Sequence, residues 1–362
     1  MTVRIEKPAL NLREEINRLD KPTGIAGEAM LRAETPQEQF DLIGAGRWNR
    51  IINGDMRIDQ RNAGASVTLT SDLFTVDRFL ARTQSATDST AQRSTTAPSG
   101  FTNSLLVTIG TGASPTSSQT NTIRHEIEGF NTADLGWGTA SAKTVTLSFW
   151  VRSSLTGTFG GALSNGGLNR AYPYTYTISV ADTWEYKTVT IEGDTSGTWG
   201  TGNSNGIRVW VDLGSGTDKQ GTAGAWGASD YRAASGCTQL VATSGATFYI
   251  TGVQLEAGSV ATLFERRLYG QELALCQRYF QIAEAHNRFR ATANQEINTN
   301  TVNYFVEMRA IPTATRSGGI VSNIGLEAIN SLTYRAFRYE IVASVPGDAY
   351  YLGRIVSLDA EL

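Results

Sequence analysis

The chain has 362 residues, carries a formal net charge of −3 and is only 18% charged, a length that accommodates two or three domains of roughly 100–200 residues each. The weak negative charge argues against a phosphate backbone as the main partner, and no apolar run approaches the roughly 20 residues of a membrane span. Two cysteines, Cys237 and Cys276, are too few for a disulfide scaffold and read as free thiols of a protein made in a reducing cytosol.

The start, MTVRIEKPALNLREE, has no apolar signal core, so Sec-type export is not expected. In KPALNLREEINRLD, Pro8 stands near a helix start, Leu12, Ile16 and Leu19 recur at helical spacing, and Glu14 faces Arg18 four residues on. TPQEQFDLIGAG reads as a second short helix, with Thr35 as N-cap, Pro36 after it, Glu38 completing a capping box, Phe40 and Ile43 on its apolar side and Gly44 as the stop. Helices this short bury too little surface to stand alone. Residues 1–48 are therefore expected to be a helical docking arm that folds against a partner, with a flexible arm as the plainer alternative.

Residues 49–265 read as one all-β domain. TVTLSFWVR alternates Val145, Leu147, Phe149 and Val151 against Thr146, Ser148 and Trp150. YTYTISV and GIRVWVDLG alternate in the same way, and SLLVTIG, TIRHEIEGF, WEYKTVTIEG and ATFYITGVQLE supply further strands. Period-2 segments separated by Gly, Asn, Asp and Ser clusters, in a chain with 37 glycines, point to an antiparallel sandwich of about eight strands, best described as a jelly roll. Residues 266–284 are expected to form a helical connector whose Leu273, Cys276 and Phe280 share a buried face. Cys276 has no basic partner patterned to activate it, which favours packing over chemistry. Residues 285–362 return to strand patterning in NTVNYFVEMRAIP, TYRAFRYEIVA and YYLGRIVSLDAEL and are expected to be a smaller β-domain. The fold class is thus mainly β.

Motifs for chemistry are sparse. GNSNG at 202–206 matches a nucleophile elbow formally, but a strand follows Ser204 where the elbow needs a helix. His125 and His286 are the two histidines, which excludes a multi-His zinc site and leaves little material for a His-based triad. Aromatic residues are the better candidates. Trp137, Trp199 and Trp226 sit in Gly-rich stretches, and Trp150 and Trp210 on the polar faces of strands. An exposed indole suits a sugar ring, and it suits a subunit interface equally well, so packing is preferred for any single Trp. The stretch 214–236 is long for a loop, and Trp226, Asp230, Tyr231 and Arg232 are its nominated binding residues.

Several landmarks together resemble tail-fibre and receptor-binding proteins of tailed bacteriophages: RIINGDMRIDQRN at 50–62, FTVDRF at 74–79, TVTLSFWVR, FYITGVQLEAGSVATLFERRLYGQELALCQRYFQ at 248–281, and FVEMRAIPTAT. They cover most of residues 49–315, and the closing motif is the specific one; Leu263 and Phe280 depart from the Pro and Tyr common at those points. The β-domain also resembles jelly-roll carbohydrate-binding modules, through Asn53-Gly54-Asp55-Met56 and Val253-Gln254-Leu255. The likeness implies a non-enzymatic virion protein, assembled in the host cytoplasm, most simply a homotrimer. Its arm would dock on a tail adaptor, portal region or capsid, and it would recognise a host-surface glycan. Head fibre or capsid decoration protein, capsule depolymerase and binding module of a secreted enzyme are the alternatives. No cofactor is implied beyond a structural calcium, for which Asp55, Asp59 and Glu256 are candidates; turn-capping carboxylates are the preferred reading.

Overall fold

In a computed structural model of the protein, residues 48–362 and Arg32 are described. The expected docking arm, with Leu12, Ile16, Leu19, Phe40 and Ile43, lies outside the described residues.

The alternation of apolar and polar residues builds two antiparallel sheets. In chain order the strands are β1 (Val67–Thr68), β2 (Leu73–Val76), β3 (Phe79–Arg82), β4 (Thr90–Ser94), β5 (Ser104–Thr108), β6 (Thr122–Glu128), β7 (Val145–Ser153), β8 (Gly157–Asn165), β9 (Ala171–Ile178), β10 (Glu185–Ile191), β11 (Asn205–Asp212), β12 (Gln220–Gly221), β13 (Ala233–Ala234) and β14 (Thr247–Ala257). One six-stranded sheet has the order β1-β4-β5-β14-β7-β10 and the other β2-β3-β6-β11-β8-β9. They form a jelly-roll β-sandwich with more strands than the sequence pattern suggests. Val145, Leu147, Phe149 and Val151 of β7 enter the same buried core as Phe159, Tyr176, Ile178 and Val209 from the facing sheet, and Phe149 meets Tyr176 edge-on with ring centroids 5.0 Å apart. Aromatic pairs of this geometry add to the free energy of burial itself.

The helical connector is shorter than expected. Helix α1 spans Tyr269–Gln277, with the Gln271 side chain accepting the Leu268 N–H at 3.3 Å and Glu272 in its first turn, where a negative charge is favoured. Phe280 already opens β15 (Phe280–Ala291), so it is not on a helix face. The cause is pairing: residues 280–291 run antiparallel to the last strand, with Phe280 opposite Asp359, and that ladder satisfies backbone groups the helix would otherwise have to hold. After it come β16 (Ile297–Asn303), β17 (Thr313–Ser317), β18 (Ile320–Ser322), β19 (Ile324–Asn330), β20 (Ala336–Ala343) and β21 (Gly347–Asp359). β15, β21 and β17 form one sheet, with β18 also on β21, and β16-β20-β19 form another. Phe337, Tyr339 and Ile341 pack with Tyr351, Val356 and Leu358 in a second core. The expected strand NTVNYFVEMRAIP is a strand only in its first part, since residues 304–312 are irregular.

Residues 49–362 nonetheless make one compact unit, joined by a small cluster of Ile52, Ile58, Cys276 and Tyr279, with Leu273 packed against it. Buried charges flank that cluster. The Arg78 guanidinium lies 3.5 Å from the centre of the Tyr279 ring and forms an ion pair with Glu361. Arg61 lies over Phe74 at 4.2 Å and Phe280 at 3.7 Å and pairs with Asp359 and Glu361 at 3.0 and 3.2 Å. Glu128 accepts bonds from Arg278 and from the Tyr279 hydroxyl, both at 2.8 Å. Both cysteines are free and buried. Burial pushes the Cys276 thiol well above its ordinary range and the Cys237 thiol up to about 11, so both are neutral thiols at neutral pH.

Two outcomes follow from these buried charges. Glu361→Ala leaves the buried Arg78 without its carboxylate and is expected to cost about 3–5 kcal/mol in urea unfolding of the full chain, whereas Arg78→Met with Glu361→Leu recovers most of the loss. Asp212, at the end of β11, is 1% exposed, and burial pushes its carboxyl up to about 7, with the nearby Ser215 and Gly214 pulling more weakly the other way. The folded chain therefore holds this proton over a range where the unfolded chain has released it, and stability is lost as pH rises from about 4 to about 7. Relative to the wild type, Asp212→Asn should gain roughly 2 kcal/mol between pH 5 and pH 8 in denaturant titrations; a pH-independent difference would mean that Asp212 is not protonated in the fold.

Candidate functional site

The stretch 214–236 has its own order. β12 and β13 pair in parallel within it, and Gly227 forms a bridge with Ala171. Trp226 does not project from it. Its Nε1 donates to the Glu192 carbonyl at 2.8 Å, and its ring meets Trp137 at 5.3 Å and Trp199 at 5.4 Å, with Trp137 and Trp199 4.7 Å apart. Trp137 and Trp199 are 7% and 9% exposed and donate Nε1–H to the Lys143 and Ser196 carbonyls. Three loops thus close one part of the sandwich core with mutually perpendicular indoles, and their faces are covered by one another instead of being offered to a ligand.

The rest of the nominated group is likewise committed internally. Partial burial would raise the Asp230 carboxyl, but hydrogen bonds from Arg232 and Lys219 hold it below the ordinary carboxylate range, at 2.9 and 2.8 Å. Arg232 stacks 4.7 Å from the ring centre of Trp210, which is itself buried with its Nε1–H donating to Ser164. Tyr231 lies against the backbone at Gly221 and Gly227 so closely that a Cβ at either would meet its ring at 2.6 to 2.7 Å.

The open aromatic surface lies on the outer face of the sheet that contains β7. The alternation that sends Phe149 inward sends Trp150 outward, and Tyr186 of β10 stands directly across from it, with ring centroids 5.4 Å apart. Residues 258–267 leave β14 and fold back over this face as a strap. Glu256 ties it down by accepting the Thr262 N–H at 2.8 Å and its hydroxyl at 2.7 Å, and the Gln254 Oε1 accepts the Glu265 N–H at 2.8 Å. Phe264 of the strap meets Phe101 edge-on at 5.2 Å. Between strap and strands runs a cleft of about 760 Å³ with Ser148, Trp150 and Gly252 among its lining and Tyr186, Phe101 and Phe264 beside them. Gly252 has φ +61°, and a Cβ there would lie 2.7 Å from the Phe101 ring, so the floor requires glycine.

The cleft offers flat apolar ring faces and few polar groups, the chemistry that holds a pyranose ring. Tyr186 is 43% exposed and Leu263, on the rim, 94%. Trp137, Trp199, Trp210 and Trp226 each donate Nε1–H within the protein, whereas among the described residues Trp150 has no such acceptor, which leaves a donor for a ligand. The cleft lining contains no Asp or Glu. Trp150 is visible in the sequence as an aromatic on a polar strand face. Tyr186 carries the same signal one strand away, but Phe101, Phe264 and Arg266 have no local pattern that marks them.

The calcium candidates are not gathered into one site. Asp55 pairs with Arg57 at 2.5 Å, Asp59 caps a turn by accepting the N–H groups of Asn62 and Gly64, and Glu256 holds the strap. Among the described residues no group of three His, Cys, Asp or Glu side chains is placed to hold a metal ion. His125 is buried, with Nε2 3.2 Å from the Ile52 carbonyl, and burial beside Arg78 lowers its pKa well below the ordinary value.

No protein-family model matches the sequence, and no curated protein matches it. Similar solved structures include the enzymatically active domain of tailspike protein 4 of bacteriophage CBA120, at 12% identity over 59% of this chain with a TM-score of 0.31. The chain spans only 21% of that tailspike. A putative sugar binding protein from Bacteroides thetaiotaomicron is similar at 11% identity, over 58% of this chain and 100% of that one, with a TM-score of 0.33. A xylan-binding domain from Paenibacillus barcinonensis is similar at 12% identity, over 55% of this chain and 99% of that one, with a TM-score of 0.27. Superpositions this loose transfer no residue and no ligand.

The two classes of Trp separate in stability measurements. Trp226→Ala opens the group formed with Trp137 and Trp199 and is expected to cost about 2–3 kcal/mol in guanidinium unfolding. Trp150→Ala, facing an open cleft, is expected to cost less than about 1 kcal/mol. Equal losses would make Trp150 a packing residue.

Proposed function

We propose that the protein is a virion fibre protein of a tailed bacteriophage that binds a host-surface glycan in the cleft beneath the strap and does not cleave it. The observation that carries the glycan reading is the pairing of Trp150 with Tyr186 on an outer sheet face, enclosed by a strap. A paired-carboxylate glycoside hydrolase needs two acids flanking the bond, and the cleft lining supplies neither, which favours retention over hydrolysis. The virion reading rests on the sequence landmarks. Two of them, RIINGDM and GVQLEAGSVATLFERR, are hydrogen-bonded to each other, through Arg50 N–H to the Leu255 carbonyl at 3.0 Å and Val253 N–H to the Gly54 carbonyl at 2.9 Å. The resemblance therefore falls on a structural unit.

In this reading residues 1–48 dock on the particle, and several copies turn weak single-site affinity into avidity. The resemblance to phage fibres suggests a homotrimer, and self-association is supported by apolar residues exposed on the C-terminal sheets: Ile320 at 66%, Leu326 at 56%, Leu352 at 43% and Ile355 at 40%, with Ile320 directly opposite Leu352. Exposed apolar patches of this kind mark interaction surfaces.

Titration of the full chain with a panel of bacterial surface oligosaccharides is expected to find a ligand whose affinity falls at least about tenfold in Trp150→Ala and Tyr186→Ala, with no new reducing ends formed. Binding that survives both substitutions, or the appearance of reducing ends, would overturn the proposal.

A further inference from the structure

At one end of the cleft, Arg266 is the cation of its lining. Its guanidinium lies 4.6 Å from the ring centre of Phe101 and 5.7 Å from that of Phe264, two rings already locked edge to face. Stacking engages the flat face of a guanidinium and leaves the N–H fork at its edge unspent. A smaller pocket of about 150 Å³ adjoins the cleft and shares Phe101 and Arg266 with it, with Asp55, Arg57 and Arg267 also in its lining. The neighbouring charges are spoken for. Asp55 pairs with Arg57 at 2.5 Å, and Arg267 pairs with Glu265 at 3.2 Å and Glu272 at 3.5 Å. Among the described residues Arg266 has no carboxylate partner. It is a positioned cation with open donors that lines the same cleft as Trp150 and Tyr186.

Resting on the glycan reading above, we infer that the cleft is selective for an acidic glycan, with one sugar ring on Trp150 and Tyr186 and the carboxylate of a uronic acid residue received by Arg266. The planar fork matches a carboxylate with two parallel hydrogen bonds, which are stronger than bonds between neutral groups. Arg266 is solvent-exposed, so the gain comes from the positioned fork and is screened by salt. A neutral sugar in the same place leaves the guanidinium partly desolvated with nothing gained, so the discrimination acts in both directions.

The test uses the full chain and calorimetric titration with uronate oligosaccharides of several stereochemistries (galacturonate, mannuronate and glucuronate-containing oligomers), each beside its own carboxyl-reduced form. At least one acidic oligomer should bind about tenfold or more tightly than its reduced twin. In Arg266→Gln that acidic oligomer should fall to the level of the twin, with Arg266→Lys between the two. The wild-type difference should also narrow as salt rises from about 50 to about 500 mM, a readout independent of how the variants fold. Acidic and reduced forms binding alike, or a difference that survives Arg266→Gln in a folded variant, would sink the acidic selectivity and leave the neutral glycan reading standing. If no form binds, the glycan reading fails and this one with it.

Discussion

The outward surfaces of the chain depend on how residues 49–58 are stitched into the sandwich. The Asn49 side chain accepts the N–H groups of Ile51 and Leu255 at 2.9 and 3.1 Å and donates to the Val253 carbonyl at 3.0 Å. Asn53 does the same for the following turn, accepting the Ile58 N–H and donating to the carbonyls of Ile58 and Asp77. Both side chains are buried, so each missing bond would leave a desolvated partner at a cost of about 1–3 kcal/mol. From the other side, Arg267 donates to the Ile51 and Asn49 carbonyls and Glu272 accepts the Asn53 N–H. The segment is therefore held at once by the closing strand β14, by the end of the strap and by helix α1. The cleft and the junction with the C-terminal sheets share this one support.

The junction with the C-terminal sheets is built from charge as well as from apolar contact. Burying Arg78 at 2% exposure costs solvation that an ion pair alone seldom returns. Here the guanidinium also has an aromatic face in Tyr279 and an acceptor in the Glu126 carbonyl. Tyr279 in turn holds Glu128, which holds Arg278. A shifted docking of β15 and β21 would leave Arg78, Glu128 and Glu361 unpaired in an apolar setting. Well-packed aliphatic residues would bind the two parts as firmly, but they would not penalise a slipped arrangement so sharply. The charges make the geometry specific.

Sequence periodicity reveals whichever strands have one wet and one dry face. β9 and β10 are legible for that reason, whereas β11 alternates in residue type although Trp210 and Asp212 on its second face are buried too. β8 is not legible, because GTFGGALSN is buried on both faces over most of its length and shows little alternation. Its glycines answer to a constraint from other chain segments: a Cβ at Gly161 would sit 2.0 Å from the Trp210 carbonyl oxygen. The end of α1 is hidden for a related reason, since the ladder that turns Phe280 into a strand residue is set by β21, more than seventy positions away. The Gly-flanked indoles mislead in a different way. A Trp in a Gly-rich stretch reads as a loop tip. Trp137, Trp199 and Trp226 come from three such stretches, and their convergence into one core group is a property of the fold. The cleft is harder still, because Phe101, Trp150, Tyr186 and the strap come from four stretches that no local pattern links.

What local pattern does reveal is the division of labour on β7. Phe149 is 1% exposed and belongs to the core; Trp150, the next residue, lines the cleft. Because successive side chains of a strand point to opposite faces, the cleft and the core draw on different residues of the same strand. The strap extends that separation. It is fastened through the side chains of Gln254 and Glu256, by way of Thr262 and the Glu265 N–H, and not through a strand ladder. Leu263 and Phe264 lie between those fastening points with no strand partner of their own. Their side chains shape the cleft, while the anchors beneath them hold the strap to β14. A surface organised in this way can change the shape of its cleft by exchanging a few strap residues, as long as Asn49, Gln254 and Glu256 stay in place.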